Sequence, residues 1–444
     1  MTLVSSFNGL LQEISFVMTQ PTFASFATLL TGWVFAGRRT VTGMIVAAGA
    51  VKDGTGRDGV KHHSAYHRVF AAARWSLDEL GLAIFDQFIA PLIGDATIRL
   101  ALDDTLARKR GLKTFGTGMH HDPLLSTRKT AVMNWGHSWV VLGVIAQLPF
   151  CPDRSFCLPV LFRLYLNKKS AAKHRRAYRT RPELAVEMLE CLCNTHEHRR
   201  FHAVADSAYG GASVLTNLPA NCDLTSRLDL DARLYDAPPV RKPGTNGRPR
   251  KRGDRLPTPR AMLEHRAKRL TLDIYGRRDR SRVAEAVGRA YKVPDRPLKV
   301  VAVEPLTGGR KVQAFYSTCP DDAAETVLTR YAMRWSIEEV NQAAKTHLGF
   351  EQPQGWSRRA VERTAPTAML LYTMIVIWFA VRGHRDYRAP CRPWYKGKTH
   401  PAFADMLTTL RSLSIKHEVL SLRLSGRGSK KVVNTVLQAL QRAA

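Results

Sequence analysis

The stretch from 97 to 227 constrains the fold more than any other, because apolar runs with a two-residue period twice give way there to helical periodicity. Residues 97–103 alternate, with Ile98, Leu100 and Leu102 on one face. Residues 139–146 and 158–166 read as two further strands, a meander with the first. A helix is expected to open near Pro182, since proline suits a first helical turn, and to run to about Asn194. Residues 200–206 supply a fourth strand, 207–211 a turn into another helix, and 223–227 a fifth strand. Strands and helices in this order are confined to an α/β architecture in which helices cover a sheet. Order alone still leaves several α/β folds open.

The flanks read differently. Residues 1–90 read as all helix, with Thr40 as an N-cap and a second helix from about 64 to 76 after a Gly/Asp-rich break at 52–59. Around that second helix His62, His63, His67 and Arg68 face outward, while Val69, Phe70 and Ala73 face inward. Two short helices across a turn, the second basic at its start, suit a DNA-binding module, and an ordinary bundle with a polar surface shows the same pattern. Residues 241–255 hold seven basic side chains among five Gly and Pro, with Arg248, Arg250, Lys251 and Arg252 as candidate contacts. Such a segment cannot bury a core and suits ordering on a polyanion. Residues 270–275, 299–303 and 311–316 read as strands of a small β subdomain, the last two joined through 307–309. The tail from 385 is basic and helical, with one apolar stripe at Phe403, Met406, Leu407 and Leu410 and another at Val433, Val436, Leu437 and Leu440. The expected divisions are 1–90, 91–230, 231–320, 321–384 and 385–444.

Lys and Arg number 67 against 37 Asp and Glu, a net charge of +30, in a chain whose 444 residues are 45% hydrophobic. That apolar content excludes a disordered chain. The charge excess goes beyond what solubility needs and points to a polyanion, nucleic acid before an anionic membrane. Residues 14–36 are broken by Gln20 and Pro21, and 365–381 are apolar but short of the ~20 residues a span needs, so both are expected to be buried helices. The first 37 residues carry one charged side chain, Glu13, and lack the basic start of a secretory leader. Cys191 and Cys193 with His196 and His198 match no zinc spacing. Reduced thiols in a cytoplasmic protein, with no membrane partner, are the expectation.

The segment from Tyr331 to Lys345 carries the most chemistry. At about 100° per residue, Tyr331, Arg334, Glu338 and Lys345 fall within an arc of about 60°, opposite Ala332, Met333, Ile337, Val340, Ala343, Ala344 and Leu348. One helix would then pack on a core while presenting a carboxylate amid a phenol, a guanidinium and an ammonium; a solvated face with i,i+4 ion pairs has the same spacing. Two aspartates, Asp103 and Asp206, each end an expected strand. Three acidic oxygen donors in so basic a chain invite a hard divalent cation, Mg²⁺ or Mn²⁺, and not zinc. Two such ions can activate a water or a 3′-hydroxyl at a phosphodiester.

These residues resemble the DDE transposases of bacterial insertion sequences, in the insertion-sequence-four-like superfamily of DDE endonucleases. That superfamily carries Y-x2-R-x3-E-x6-K, matched by Tyr331, Arg334, Glu338 and Lys345, while Asp103-Asp-Thr and Asp206-Ser-Ala-Tyr-Gly resemble its two aspartate motifs. Segments 179–185 and 359–366 are similar to flanking segments of the group, and Lys109-Arg-Gly111 is a slightly altered form of its usual lysine-glycine. Asp103 is taken as the first aspartate in preference to its neighbour Asp104. The resemblance, over roughly 35–415, implies an RNase H-like catalytic domain, a mixed sheet flanked by helices and interrupted by a β-rich insertion, behind an all-α N-terminal DNA-binding domain. It implies Asp103, Asp206 and Glu338 as catalytic residues holding two Mg²⁺ ions, replaceable by Mn²⁺. It also implies Tyr331, Arg334 and Lys345 as contacts to end phosphates, and His67 and Arg68 lie in the region that would read terminal inverted repeats. The partners implied are double-stranded DNA, as transposon end and as target, and a second copy of the chain. A nuclease that cleaves without joining, and a DNA-binding regulator whose acidic triad is only structural, remain alternatives.

Overall fold

The structure, a computed structural model, describes residues 1–51, 61–127, 129–240, 248–274, 277–306, 311–389 and 400–421. The expected break at 52–59, the first part of the basic segment (241–247), the 307–309 connection and the second tail stripe at 433–440 lie outside the described residues.

The described elements before the first strand are helical: α1 (Ser5–Glu13), α2 (Gln20–Phe35), α3 (Val41–Ala47), α4 (His63–Ala71), α5 (Leu77–Ile84) and α6 (Ala90–Ile93). Thr40 caps α3 as its position implies, its hydroxyl accepting from Gly43 N at 3.1 Å. The helix expected over 64–76 ends at Ala71, because Ser76 starts a new one by accepting from Glu79 N. Val69 and Phe70 face inward as expected. These helices share one continuous apolar core with the sheet. Gly81 shows how closely they sit, since a Cβ there would fall 1.9 Å from the Val160 carbonyl oxygen of the sheet. The Trp33 indole N–H likewise reaches the Leu348 carbonyl across the molecule at 2.8 Å.

The described residues form a sheet of 11 strands. They are β1 (Ile98–Arg108), β2 (Gly118–His121), β3 (Met133–Leu148), β4 (Cys151–Tyr165), β5 (Phe201–Ala205), β6 (Cys222–Leu228), β7 (Leu234–Tyr235), β8 (Lys268–Ile274), β9 (Arg277–Ala290), β10 (Val293–Pro305) and β11 (Gln313–Ser317). At its centre β4, β3 and β1 run antiparallel, and β5 and β6 follow parallel to β1. This is the mixed sheet that the resemblance implied. Strands β11, β10 and β9 do not form a sheet of their own: β11 pairs antiparallel with β6, Phe315 opposite Arg227, and continues the central sheet outward. The register against β6 decides this, and no local pattern in the sequence could.

Helices α7 (Lys168–Lys173), α8 (Arg181–Thr195), α9 (Ala212–Thr216), α10 (Pro259–Arg266), α11 (Ala324–Ala332), α12 (Trp335–His347), α13 (Arg358–Val381) and α14 (Phe403–Ser421) complete the described chain. Helix α8 begins with a full capping box between Thr180 and Glu183, with Pro182 in its first turn. Helix α13 is long and apolar enough to cross a bilayer, yet 94% of its apolar window is buried inside the protein. It is a core helix, as expected for 365–381. Phe403, Met406, Leu407 and Leu410 of α14 are buried, so the first tail stripe belongs to this core.

Candidate active site

Asp103 lies in the middle of β1, not at its end. The strand runs on to Arg108 because pairing with β3 continues from Asp103 opposite Val141 to Arg108 opposite Gly136, past the charge at which the sequence pattern stops. Consecutive strand residues face opposite sides. The Asp103 side chain meets α12, where Asn341 Nδ2 lies 3.5 Å from its Oδ2 and Arg334 Nη1 3.9 Å away. Asp104 faces the other way, accepting from the Tyr209 hydroxyl at 3.0 Å and paired with Arg181 at 3.3 Å. Burial, with repulsion from Asp104 and Asp206, outweighs the nearby Arg334 and pushes the Asp103 carboxyl up to about 7.

Asp206 follows the last residue of β5, as expected, and its turn is held on several sides. Its Oδ1 accepts from Ala208 N at 2.9 Å, and its carbonyl accepts from Ser226 Oγ at 2.8 Å. Its charge is felt at both Asp103 and Asp104, which places it at the same end of the sheet.

The single helix expected over 331–345 is two. Helix α11 stops at Ala332, and the joint tightens to i→i+3 bonds, Arg334 N to Tyr331 O and Ile337 N to Arg334 O, both 3.1 Å, before α12 begins. Tighter winding rotates residues by about 120° each instead of 100°, so the sequence arc does not carry over. Tyr331 is buried, 8% exposed, against Phe315 with ring centroids 4.6 Å apart. It touches Arg334, whose guanidinium lies 5.7 Å from the ring centroid. Arg334 in turn pairs with Glu338 at 2.5 Å and stands between it and Asp103. Burial alone would lower the Arg334 pKa, but Tyr331, Asp103 and Glu338 together raise it. Lys345 lies two turns beyond Glu338 in α12, its pKa lowered by burial against the opposing pull of Glu351. Glu339 points elsewhere and pairs with Arg154 of β4 at 2.7 Å.

Asp103 and Glu338 therefore share the Arg334 guanidinium and Asp104 takes Arg181, while Asp206 and the Lys345 ammonium act on Asp103 through their charges. Asn341, one turn after Glu338 and outside every motif of the sequence, has a buried Oδ1 with no hydrogen-bond partner among the described residues. Its i,i+3 spacing from Glu338 was the available signal. A surplus of acidic oxygens beside an unpartnered amide oxygen fits a hard divalent cation.

Beyond the end of β1 a cavity of about 830 Å³ is lined by Arg38, Arg108, Lys109, Arg110, Trp135 and Glu351, among others. Lys109 Nζ donates to the carbonyls of Glu351 and Pro353, and burial pushes its pKa down to about 8. The remaining expected contacts lie in other parts of the chain. His67 and Arg68 are exposed on α4. Arg248 and Lys251 are exposed, Arg250 pairs with Asp254 at 3.2 Å, and Arg252 packs on the Tyr291 ring at 3.7 Å.

Among the described residues, one group of His, Cys, Asp or Glu has three ligand atoms mutually within 4.8 Å: His202, Asp223 and Cys319. Its donors are already engaged. Asp223 accepts from Thr318 and Arg200, and His202 Nε2 meets Thr225 Oγ1 at 2.7 Å and Arg330 at 3.2 Å. Burial, then Arg330, pushes His202 down to about 3. With Arg99, Arg200 and Arg330 lining the adjoining cavity, a cation there would be opposed.

The family described as DDE superfamily endonuclease matches residues 18–285. The match includes Asp103, Asp206 and most of the N-terminal helices, and it ends before Glu338. No curated protein matches the chain. The chain belongs to the DDE superfamily endonucleases, nucleases that act on DNA with divalent metal ions, typically Mg²⁺.

Proposed function

We propose that this DDE endonuclease is a cut-and-paste transposase that cleaves DNA at transposon ends and joins the freed ends to target DNA. The observation that carries the reading is that Asp103 from β1 and Glu338 from α12 both approach Arg334, while Asp206 after β5 lies near enough for its charge to act on Asp103. Asp103, Asp206 and Glu338 would hold two Mg²⁺ ions, and Asn341 would add a neutral oxygen by turning over its amide, whose nitrogen faces Asp103 in this structure. Bound there, the ions supply an activated water or 3′-hydroxyl and neutralise charge at the scissile phosphate. Arg334 and Lys345 hold the flanking phosphates, and Tyr331 acts from within the core by orienting the Arg334 guanidinium. The cavity around Arg38, Arg108 and Arg110 offers the backbone a basic path away from the acidic site.

His67 and Arg68 on α4 are proposed to contact the terminal inverted repeats, and Arg248, Arg250 and Lys251 the DNA backbone. Arg252 is already engaged by Tyr291 and serves mainly to fix that segment. Two copies, one per end, would form the working complex, in the cytoplasm.

A pre-nicked end, target DNA and Mg²⁺ test the reading together. Joined product that disappears in Asp206→Asn supports it. Hydrolysis without any joining would favour the plain nuclease, and no metal-dependent cleavage at all would favour the regulator. Affinity for random duplex should also fall by roughly three decades or more between about 50 and 200 mM salt if several phosphates are contacted. A flat salt response would remove the polyanion reading of the +30 charge.

A further inference from the structure

Asp104 and Arg181 take no part in the chemistry proposed above, yet both are built into the same end of the sheet. The Tyr209 ring is fully buried, and its hydroxyl reaches back from the Asp206 turn to Asp104 Oδ1 at 3.0 Å. Asp104 Oδ2 pairs with Arg181 Nε at 3.3 Å. Arg181 is itself fixed, since it donates twice to Ser138 Oγ of β3 and stacks over Tyr165 of β4 at 4.2 Å. The same turn is pressed onto the neighbouring strands: Tyr316 donates to the Gly210 carbonyl at 2.8 Å, and a Cβ on Gly210 would lie 2.3 Å from Ser226 Oγ.

We infer that Tyr209 and Asp104 are positioning residues that set Asp206 against Asp103, so that the two carboxylates bind a divalent ion as a preformed pair. The reasoning is geometric and rests on the proposed metal-binding role of the triad. Asp103 and Asp104 are neighbours on one strand and face opposite sides, so a bond to Asp104 fixes the Asp206 turn relative to Asp103 without occupying its ligand face. Arg181, at the start of α8, neutralises Asp104 and holds the anchor still. Residues that orient metal ligands typically alter metal affinity by tenfold or more when changed.

The test measures Mn²⁺ binding to the full chain by electron paramagnetic resonance, without DNA, alongside thermal melts of the metal-free protein. Tyr209→Phe keeps the ring and removes only the anchoring hydroxyl. Its Mn²⁺ dissociation constant should rise roughly tenfold while the metal-free melt shifts by only a few degrees. Asp104→Asn keeps an acceptor oxygen for Tyr209 and loses the Arg181 pair, so a smaller rise is expected. This additional variant also carries the test if Tyr209→Phe fails to fold. Parental Mn²⁺ affinity in both variants overturns the positioning role. Loss in Asp104→Asn as complete as in Asp206→Asn also overturns it, by making Asp104 a ligand. Asp206→Asn that binds Mn²⁺ like the parent instead sinks the triad reading itself, which separates the two failures.

Discussion

Two polar clusters sit at opposite ends of the same parallel strands, and they are built in opposite ways. At the first residues of β5 and β6, His202, Asp223, Asp322 and Arg330 are matched to partners within the protein, with Arg330 holding Asp322 at 2.6 Å. At the other end, the carboxylates of Asp103, Asp104, Asp206 and Glu338 outnumber their cations, and an amide oxygen is left over. The histidine-containing cluster holds the soft and borderline donors most typical of a metal site, yet it is a closed lock between α11 and the sheet. The acidic cluster is less compact and is the one with acceptor capacity to spare. Whether partners are already satisfied decides the assignment, more than donor spacing does.

The largest effect that would sharpen this contrast is on turnover. Asp103→Asn, Asp206→Asn and Glu338→Gln should each lower cleavage by roughly a thousandfold or more while end binding persists, since several kcal/mol of charge stabilisation is removed at ~1.4 kcal/mol per decade. Arg330→Met, in the closed cluster, should leave Mn²⁺ affinity unchanged in binding titrations. A drop in that affinity would break the comparison.

The two clusters should next differ in stability and in its dependence on pH. Arg330 and Asp322 are 17% and 13% exposed, and removing one partner of so enclosed a pair should cost about 3 kcal/mol in urea unfolding. Arg330, with the Ser317 hydroxyl, outweighs burial and holds the Asp322 carboxyl below its usual range. Its contribution is therefore present above about pH 4, the unfolded value, and is lost as pH falls through the lowered folded value. Asp103 has the opposite sign. With its folded value pushed up to about 7, its ionisation in the unfolded chain begins first, so metal-free stability falls as pH rises from about 4 to 7. Asp103→Asn should therefore raise metal-free stability at pH 8 by roughly 2–4 kcal/mol and have much less effect at pH 4. Equal melts of the parent and Asp103→Asn at pH 8 would remove the claim that this end of the sheet carries uncompensated charge.

The smallest effect is expected at Glu339. Its pair with Arg154 is partly exposed on both sides, so Glu339→Gln should cost less than about 1 kcal/mol and retain most cleavage activity. A dead Glu339→Gln beside an active Glu338→Gln would exchange their assignments and overturn the register of the segment.

The sequence by itself determined the alternation of strands and helices from 97 to 227, the burial of α13 and the presence of Asp206 at a strand end. Each depends on local periodicity or on a residue whose backbone preference acts nearby, as with Pro182 in the first turn of α8. The Tyr331-to-Lys345 motif and the resemblance it carries named Glu338, and in the structure Glu338 and its neighbour Glu339 take different partners. Tertiary structure decided the rest. Strand β1 runs past Asp103 because β3 supplies hydrogen bonds there, and β11 joins the central sheet because β6 had a free edge. The N-terminal helices share the sheet's core because Gly81 and Trp33 meet partners 79 and 315 residues away in sequence. The joint at 333–334 carries no Gly or Pro to announce it, and Asn341 and the Tyr209–Asp104 bond acquire meaning only once separate strands and helices meet. Local chemistry fixes which elements form, whereas the surplus of charge at one end of the sheet is a property of their assembly, which only long-range pairing creates.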